Sequence, residues 1–319
     1  MSSLARSGAA AASSAASPPA RDFVRAAAGK VSRLEHLGLR LIRRSLEPGP
    51  IDRALRWCQR NIGQRWIHLA TSRLHHAHHL ERVEVLGRDQ SFILVANHRS
   101  FFDLYVVTAT LVRRGLRQRI VFPVRSTFFY DRPLGYFVNG VMSFFAMYPP
   151  VFRETRLAQL NLLGLDELSR LLERGGTLVG IHPEGQRNKT GDPYTFLPAQ
   201  SGVGRLVYDA RVPVIPVFVN GLLPKDLPRQ ILSNFDGTGI PIHTVFGGPV
   251  DFGGLLEEPP SPRLYKRIAE RCLAAVAELA EEEKAYRAGR MPRAESVAEV
   301  GPESTLRERA RPSRAHSSS

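Results

Sequence analysis

Residues 92–98, which read Phe-Ile-Leu-Val-Ala-Asn-His, are the stretch that decides the class of fold. Five apolar residues end abruptly in two polar ones, which is typical of a buried strand that carries polar side chains at its carboxyl end. The pattern recurs at residues 177–184, where Thr-Leu-Val-Gly-Ile runs into His-Pro-Glu. In open α/β sheets, ligands bind at the carboxyl ends of the strands. The sequence therefore predicts one site formed by the side chains that follow these two strands.

Strand-like and helix-like segments alternate from Val83 onward. The predicted strands are 91–96, 118–124, 177–182, 213–219 and 242–247, and the predicted helices are 102–114, 154–174, 200–210 and 262–287. Strands separated by helices favour an α/β fold with a largely parallel central sheet flanked by helices. We expect a basic amphipathic helical segment to precede this sheet.

The length and composition of the chain suggest its organisation. With 319 residues, of which 43% are hydrophobic and 23% charged, the chain can bury one large core and carry an appendage. We predict a disordered N-terminus over 1–28, basic amphipathic helices over 29–80, an α/β domain over 81–288 and a disordered tail over 289–319. The small, polar residues of 1–28 do not form the apolar core of a secretory signal peptide.

Positive charge is concentrated near the start of the chain. The net charge is +14, and residues 1–80 hold thirteen basic residues against four acidic ones. Leucines spaced by three and four residues, together with Trp57 and Trp66, predict amphipathic helices over 31–80. Such helices suit an anionic membrane surface or nucleic acid, and they can also pack on the α/β domain. Charge alone does not choose between the two partners.

The longest uncharged run covers residues 134–152. It contains Asn139, two glycines and Pro149-Pro150, whereas a membrane-spanning helix needs about 20 predominantly apolar residues. We expect this run to pack on the core, and shallow entry into a bilayer is the alternative.

The sequence predicts neither a bound metal nor a cofactor. The two cysteines, Cys58 and Cys272, lack metal-ligand spacing, so we expect buried thiols. Residues 75–79, His-His-Ala-His-His, place two histidines at helical spacing. No His-Glu-x-x-His pattern and no cysteine partner accompany them.

His98 and Asp103 are the predicted catalytic pair. We expect His98 on the loop after its strand and Asp103 in the first turn of the next helix. A carboxylate there can bind one imidazole nitrogen, fix the tautomer and favour the imidazolium, while the other nitrogen accepts a proton. This arrangement corresponds to the histidine and acid of a Ser-His-Asp relay without the serine.

Basic residues near other strand ends are candidates for binding an anion. Arg125 follows a predicted strand, and Arg153 follows the apolar run; an ion pair with Glu154 is the alternative role for Arg153. Residues 184–191 combine two glycines, which let the backbone approach a ligand, with Arg187 and Lys189. This segment is not a Walker loop, because no Lys-Ser/Thr follows its second glycine.

Together these motifs resemble the glycerolipid acyltransferase family typified by PlsC-like 1-acyl-glycerol-3-phosphate acyltransferases. Four blocks occur in the family's order over roughly residues 82–250: Asn97 to Asp103, the approach to Phe152-Arg153, Pro183 to Arg187, and Val212 to Val217. The family usually has Phe and Thr at His182 and Gln186, and Lys at Arg125 and Gln200. Arg99-Ser100 and residues 188–191 resemble the related glycerol-3-phosphate acyltransferases instead.

The resemblance implies transfer of a fatty acyl group from acyl-CoA or acyl carrier protein to a lysophospholipid, most simply 1-acyl-glycerol-3-phosphate, in phospholipid biosynthesis. It also implies roles for single residues. His98 would deprotonate the acceptor hydroxyl, Asp103 would orient His98, and Arg125, Arg153, Glu184, Gly185 and Arg187 would bind substrate. A glycerol-3-phosphate acyltransferase and a non-catalytic lipid-binding protein of the same fold are the alternatives.

The expected products of this reaction partition into lipid, so the site must open at a bilayer. We therefore expect a peripheral or shallowly inserted protein on the cytoplasmic face, with an anionic membrane surface and not nucleic acid as the partner of the basic segment.

Overall fold

Seven strands form one sheet in the computed structural model, which describes residues 22–83, 86–87, 89–126, 130, 135, 137–223 and 227–290. The strands are β1 (His75–His78), β2 (Phe92–Ala96), β3 (Arg119–Arg125), β4 (Met147–Val151), β5 (Thr177–Ile181), β6 (Val214–Asn220) and β7 (Ile242–Phe246). Their spatial order is β1-β7-β6-β2-β5-β3-β4. Neighbouring strands are parallel except β6 and β7. The carboxyl ends of β2 to β6 therefore share one edge of the sheet.

Helices surround this sheet and precede it in the chain. They are α1 (Phe23–Ala27), α2 (Arg33–Ser45), α3 (Pro50–Cys58), α4 (Gln64–Thr71), α5 (Asp103–Arg113), α6 (Ala158–Glu173), α7 (Ser201–Ala210), α8 (Leu227–Asp236) and α9 (Pro262–Arg287). A π-helical turn over Gln59–Gly63 joins α3 to α4. The largely parallel α/β fold is thereby confirmed, as are the five predicted strands and the four predicted helices, each within a few residues of its expected ends.

The strand β2 lies in the middle of the sheet and leads directly to the segment that holds His98 and Asp103. Its five apolar residues are completely buried, with β5 on one side and β6 on the other. This burial explains why β2 and β5 read as continuous apolar runs, since both faces of a parallel sheet are covered by helices.

The two edge strands differ from the sequence-based expectation. Residues 75–78 form β1 and not the end of a helix, because β7 supplies partners for the histidines: Nε2 of His75 lies 2.9 Å from Oγ1 of Thr244, and Nε2 of His78 lies 3.0 Å from Nδ1 of His243. Residues 147–151 form β4, although they include Pro149 and Pro150. An edge strand tolerates proline because its outer amide groups need no partner in the sheet.

Residues 22–71 pack closely on the α/β core. Phe23, Leu39 and Ile42 are each at most 1% exposed, and α1 begins inside the segment predicted to be disordered. Gln59 bonds the backbone of Ile120 in β3 in both directions, at 3.2 Å each. Asp52 of α3 pairs with Arg56 at 2.7 Å and faces the buried Arg119 at 3.7 Å. The described residues of this segment therefore pack on the α/β core, which is one of the two compatible roles that the sequence left open.

The run 134–152 also packs on the core over most of its described part. Asn139, Met147 and Tyr148 are at most 2% exposed, whereas Phe137 and Val141 face solvent. Leu134 and Tyr136 lie outside the described residues, as do 1–21 and 291–319. Among the helices that the structure describes, none is long and apolar enough to cross a membrane.

Candidate active site

Asn97 fixes the point at which the chain leaves the sheet after β2. Its side-chain amide donates to the carbonyl of Val219 at 2.8 Å and accepts from the amide of Val219 at 2.8 Å. The side chain thereby continues the pairing of β2 with β6 while its own backbone turns away. His98 follows at the edge of the sheet, and Asp103 is the first residue of α5.

The carboxylate of Asp103 organises the loop that carries His98. Its Oδ2 accepts hydrogen bonds from the backbone amides of Arg99 and Ser100, both at 2.8 Å. Nδ1 of His98 donates to the same oxygen at 3.3 Å, longer than the roughly 2.7–2.9 Å of a strong charge-assisted bond. Among the described residues, none forms a hydrogen bond with Nε2 of His98. The side chain of His98 is 23% exposed. Its Nε2 can accept a proton from a bound molecule.

Burial sets the protonation states of this pair. It raises the pKa of Asp103 to about 6, although the nearby His182 and the amides of Ser100 and Arg99 act in the opposite direction. Burial and, to a smaller extent, the positive charge of Arg187 together lower the pKa of His98 to about 4. The resting imidazole is therefore neutral at pH 7 beside an ionised carboxylate. In the resting site, desolvation outweighs the preference for imidazolium that the sequence predicted for an acid at this position.

Glu184 holds two backbone segments together. One carboxylate oxygen accepts the amide of His98 at 2.9 Å, and the other accepts the amide of Leu197 at 2.8 Å. The residue is 1% exposed. The side chain predicted to bind substrate is thus committed to bracing the loop of His98. Gly185 has a φ of +65°, and a Cβ there would lie 2.6 Å from Cγ of Gln200, so a glycine is required at this tight turn.

The loop that carries Arg187 is fastened to the His98 loop. The amide of Asn188 donates to the carbonyl of His98 at 2.8 Å, and the Arg99 guanidinium donates to Oγ1 of Thr190 at 3.1 Å and to the carbonyl of Asp192 at 3.0 Å. These contacts bring Arg187 close enough to lower the pKa of His98. The sequence singled out Arg187 but gave no structural task to Arg99.

The sequence-predicted residues fall into two groups in space. His98, Asp103, Glu184, Gly185 and Arg187 gather where β2 and β5 end. Arg125 and Arg153 instead line a cleft of about 310 Å³ near the ends of β3 and β4. Lys30 and Ser32 from the segment before α2 line the same cleft, which contacts neither His98 nor Arg187.

His182 is another residue at this site to which sequence reasoning gave no role. It follows β5, and its ring stacks on the ring of His98 with centroids 3.9 Å apart and planes 8° from parallel. Its one sequence signal was an unexpected polar residue at the end of a buried strand. The stacking itself arises from the parallel pairing of β2 and β5, which sequence patterns do not reveal.

A family model and a solved structure are similar to this chain. Residues 73–220 match the family model described as Acyltransferase, and this segment holds both groups of predicted residues. Among solved structures, the chain is similar to the 1-acyl-sn-glycerophosphate (LPA) acyltransferase PlsC from Thermotoga maritima. The sequence identity is 20% and the TM-score 0.48, over 82% of this chain and 94% of that chain.

The proximity of Arg187 to His98 gives a prediction about titration. Replacing Arg187 by Gln removes a positive charge that disfavours the imidazolium, so the pKa of His98 should rise from about 4 toward its ordinary value of 6.5. Arg187→Lys keeps the charge and serves as the control, with a smaller rise expected. Titration of the His98 imidazole by NMR measures both. An unchanged or lowered pKa in Arg187→Gln would contradict the prediction.

Proposed function

Because residues 73–220 match the family model described as Acyltransferase, we propose that this protein transfers a fatty acyl group from a thioester donor to a hydroxyl of a glycerol-phosphate acceptor. The donor is acyl-CoA or acyl carrier protein, and the acceptor is most simply 1-acyl-glycerol-3-phosphate. The observation that carries this proposal is the pairing of His98 with Asp103, with Nε2 of His98 available at the sheet edge.

In the proposed reaction, Nε2 of His98 takes the proton of the acceptor hydroxyl as that oxygen attacks the thioester carbonyl. The tetrahedral intermediate then expels the thiolate, which receives the proton from the imidazolium. Asp103 stabilises the transient imidazolium and keeps the reactive tautomer, with the proton on Nδ1. No acyl-enzyme is formed, since the hydroxyl attacks the donor directly.

The cleft lined by Arg125 and Arg153 suits the phosphate of the acceptor. Lys30 lines the cleft as well, and of the two acidic residues in its lining, Glu35 and Glu154, the second is paired with Arg156 at 2.6 Å. A planar guanidinium pairs with two phosphate oxygens at once, which makes arginine better suited than lysine to this task. Arg187 lies instead beside the reacting groups, where its charge can stabilise developing negative charge on the carbonyl oxygen.

Glycerol-3-phosphate is the second candidate acceptor, because Arg99-Ser100 and residues 188–191 resemble segments of glycerol-3-phosphate acyltransferases. Arg99 and Thr190, from the two segments that resemble glycerol-3-phosphate acyltransferases, are joined by a hydrogen bond of 3.1 Å. They are therefore one structural unit beside His98. The third possibility, a non-catalytic lipid-binding protein, would give no thiol release.

The first test is thiol release from acyl-CoA with a panel of lysophospholipids and glycerol-3-phosphate. Because general-base assistance is worth roughly 10²- to 10⁴-fold in rate, His98→Ala should lower kcat by that factor with thermal stability close to wild type. His68→Ala, at a half-buried position in α4, is the histidine control and should stay active. A His98→Ala variant with most of its turnover would overturn the mechanism, and the panel identifies the preferred acceptor.

The phosphate assignment is tested by Arg153→Lys. The loss of paired hydrogen bonding should raise the KM of the acceptor by about tenfold, while the KM of the thioester stays within about twofold. Arg156 lines the same cleft but is already paired with Glu154, so Arg156→Lys is the matched control. Equal changes in the two KM values of Arg153→Lys would count against a phosphate role.

Membrane attachment completes the proposal. Leu37 and Leu41 of α2 and Trp57 of α3 present large apolar side chains to solvent, with 52%, 60% and 59% of their surface exposed. Exposed arginines accompany them, at Arg33, Arg40, Arg44 and Arg53. An apolar face mixed with positive charge suits the interface of an anionic bilayer, and each basic residue near it can add about 1 kcal/mol. We propose that this surface binds the cytoplasmic leaflet of the membrane, either peripherally or with shallow insertion.

Point substitutions test this surface better than a deletion, because residues 22–80 also supply core side chains and β1. Leu37→Ser with Leu41→Ser should weaken co-sedimentation with anionic liposomes several-fold. Binding of the wild type should fall with added salt. Leu162→Ser, at a 49% exposed position of α6, is the control. Binding that ignores lipid charge and the double substitution alike would refute the membrane surface.

A further inference from the structure

His182 lies in van der Waals contact with the proposed base. The ring centroids of His98 and His182 are 3.9 Å apart, and the two planes differ by 8°. Nδ1 of His182 lies 2.9 Å from the carbonyl oxygen of Ala96, the last residue of β2. A carbonyl only accepts hydrogen bonds, so Nδ1 of His182 carries a proton and its ring is fixed to the strand that delivers His98.

The edge contact with Asp103 holds the His98 ring only loosely. The bond from Nδ1 is 3.3 Å long, and the accepting oxygen already receives two backbone amides at 2.8 Å. A single long bond at one edge leaves the ring able to rotate about its side-chain torsions. A parallel ring against one face removes much of that freedom, because rotation would drive the two rings into each other.

We propose that His182 is a positioning residue for the acyl transfer, whose strand-anchored ring holds His98 with Nε2 directed at the acceptor hydroxyl. This inference rests on the proposed role of His98 as the base. It assigns no proton transfer to His182: burial lowers its pKa to about 3, so its ring is neutral at pH 7.

A shared metal ion is the main alternative reading of this cluster. Ligand atoms of His98, Asp103 and His182 lie within 4.8 Å of one another. An imidazole binds a metal in the plane of its ring, at about 2.0–2.1 Å for zinc. Two parallel rings with centroids 3.9 Å apart cannot both hold one ion in their planes, so the observed stack favours positioning over metal binding.

The inference is tested with His182→Ala and His182→Phe. Loss of the ring in His182→Ala should lower kcat about 10- to 100-fold, since misplacement of a reacting group by about 1 Å costs up to 10²-fold. Both KM values should stay within about threefold. His182→Phe keeps a planar ring on the face of His98 and should retain kcat within about threefold. Near-wild-type kcat in His182→Ala, or equal loss in the two variants, would overturn the inference.

A double variant shows whether His182 acts through His98. If it does, adding His182→Ala to His98→Ala should cause almost no further loss, because the group that it positions is already absent. A further loss equal to that of the single variant would show an independent role and refute the proposal.

Imidazole NMR gives a readout that does not depend on activity. ¹⁵N relaxation of the His98 ring should show an ordered imidazole in the wild type and in His182→Phe, and increased ring motion in His182→Ala, while Asp103 keeps the proton on Nδ1 in all three. An equally ordered His98 ring in His182→Ala would refute the positioning. If His98→Ala stays active while this added motion is seen, the proposed catalytic role fails and the structural contact stands.

Discussion

The buried carboxylate of Glu184 is the constraint on which the site depends. It joins the amide of His98, just after β2, to the amide of Leu197, just before α7, and it has almost no exposure to solvent. A buried charge is stable only when hydrogen bonds compensate for lost hydration, and here each oxygen has a backbone donor. The loops that follow β2 and β5 are consequently fixed to each other. Asp103 then accepts hydrogen bonds from a loop that Glu184 already holds in place.

These contacts place the imidazole of His98, the proposed base, in a largely desolvated site. Burial raises the pKa of Asp103 and lowers that of His98, so the pair rests as carboxylate and imidazole. A base that is uncharged at rest needs no deprotonation before each turnover. In the proposed reaction, an energetic cost appears later, when an imidazolium forms close to Arg187, and the carboxylate of Asp103 would offset that cost.

The N-terminal helices belong to the same folded unit as the sheet. Phe23 packs edge-on against Tyr148 of β4, with ring centroids 6.1 Å apart, and Gln59 pairs with β3. Lys30 and Ser32 line the cleft that holds Arg125 and Arg153. One side of this segment therefore lines a candidate substrate cleft, whereas its exposed leucines and arginines face solvent. In the proposed function, this connection joins membrane contact to acceptor binding.

The sequence by itself determined the elements whose signals are local. The central strands, the helices from α5 to α7, the helix α9 and the His98–Asp103 pair follow from apolar runs, helical periodicity and spacing within a few residues. Edge strands escaped this reasoning, because histidines in β1 and prolines in β4 lack a strand signal and are accommodated by distant partners.

Only the tertiary structure decided how distant residues meet. The bracing role of Glu184, the stack of His182 on His98 and the separation of Arg153 from Arg187 depend on which strands are neighbours and in what register. Protonation states belong to the same class, since they follow from desolvation and from charges that folding brings together. Short-range patterns encode which residues form a strand or a loop, whereas contacts across the sheet arise from packing of the whole chain.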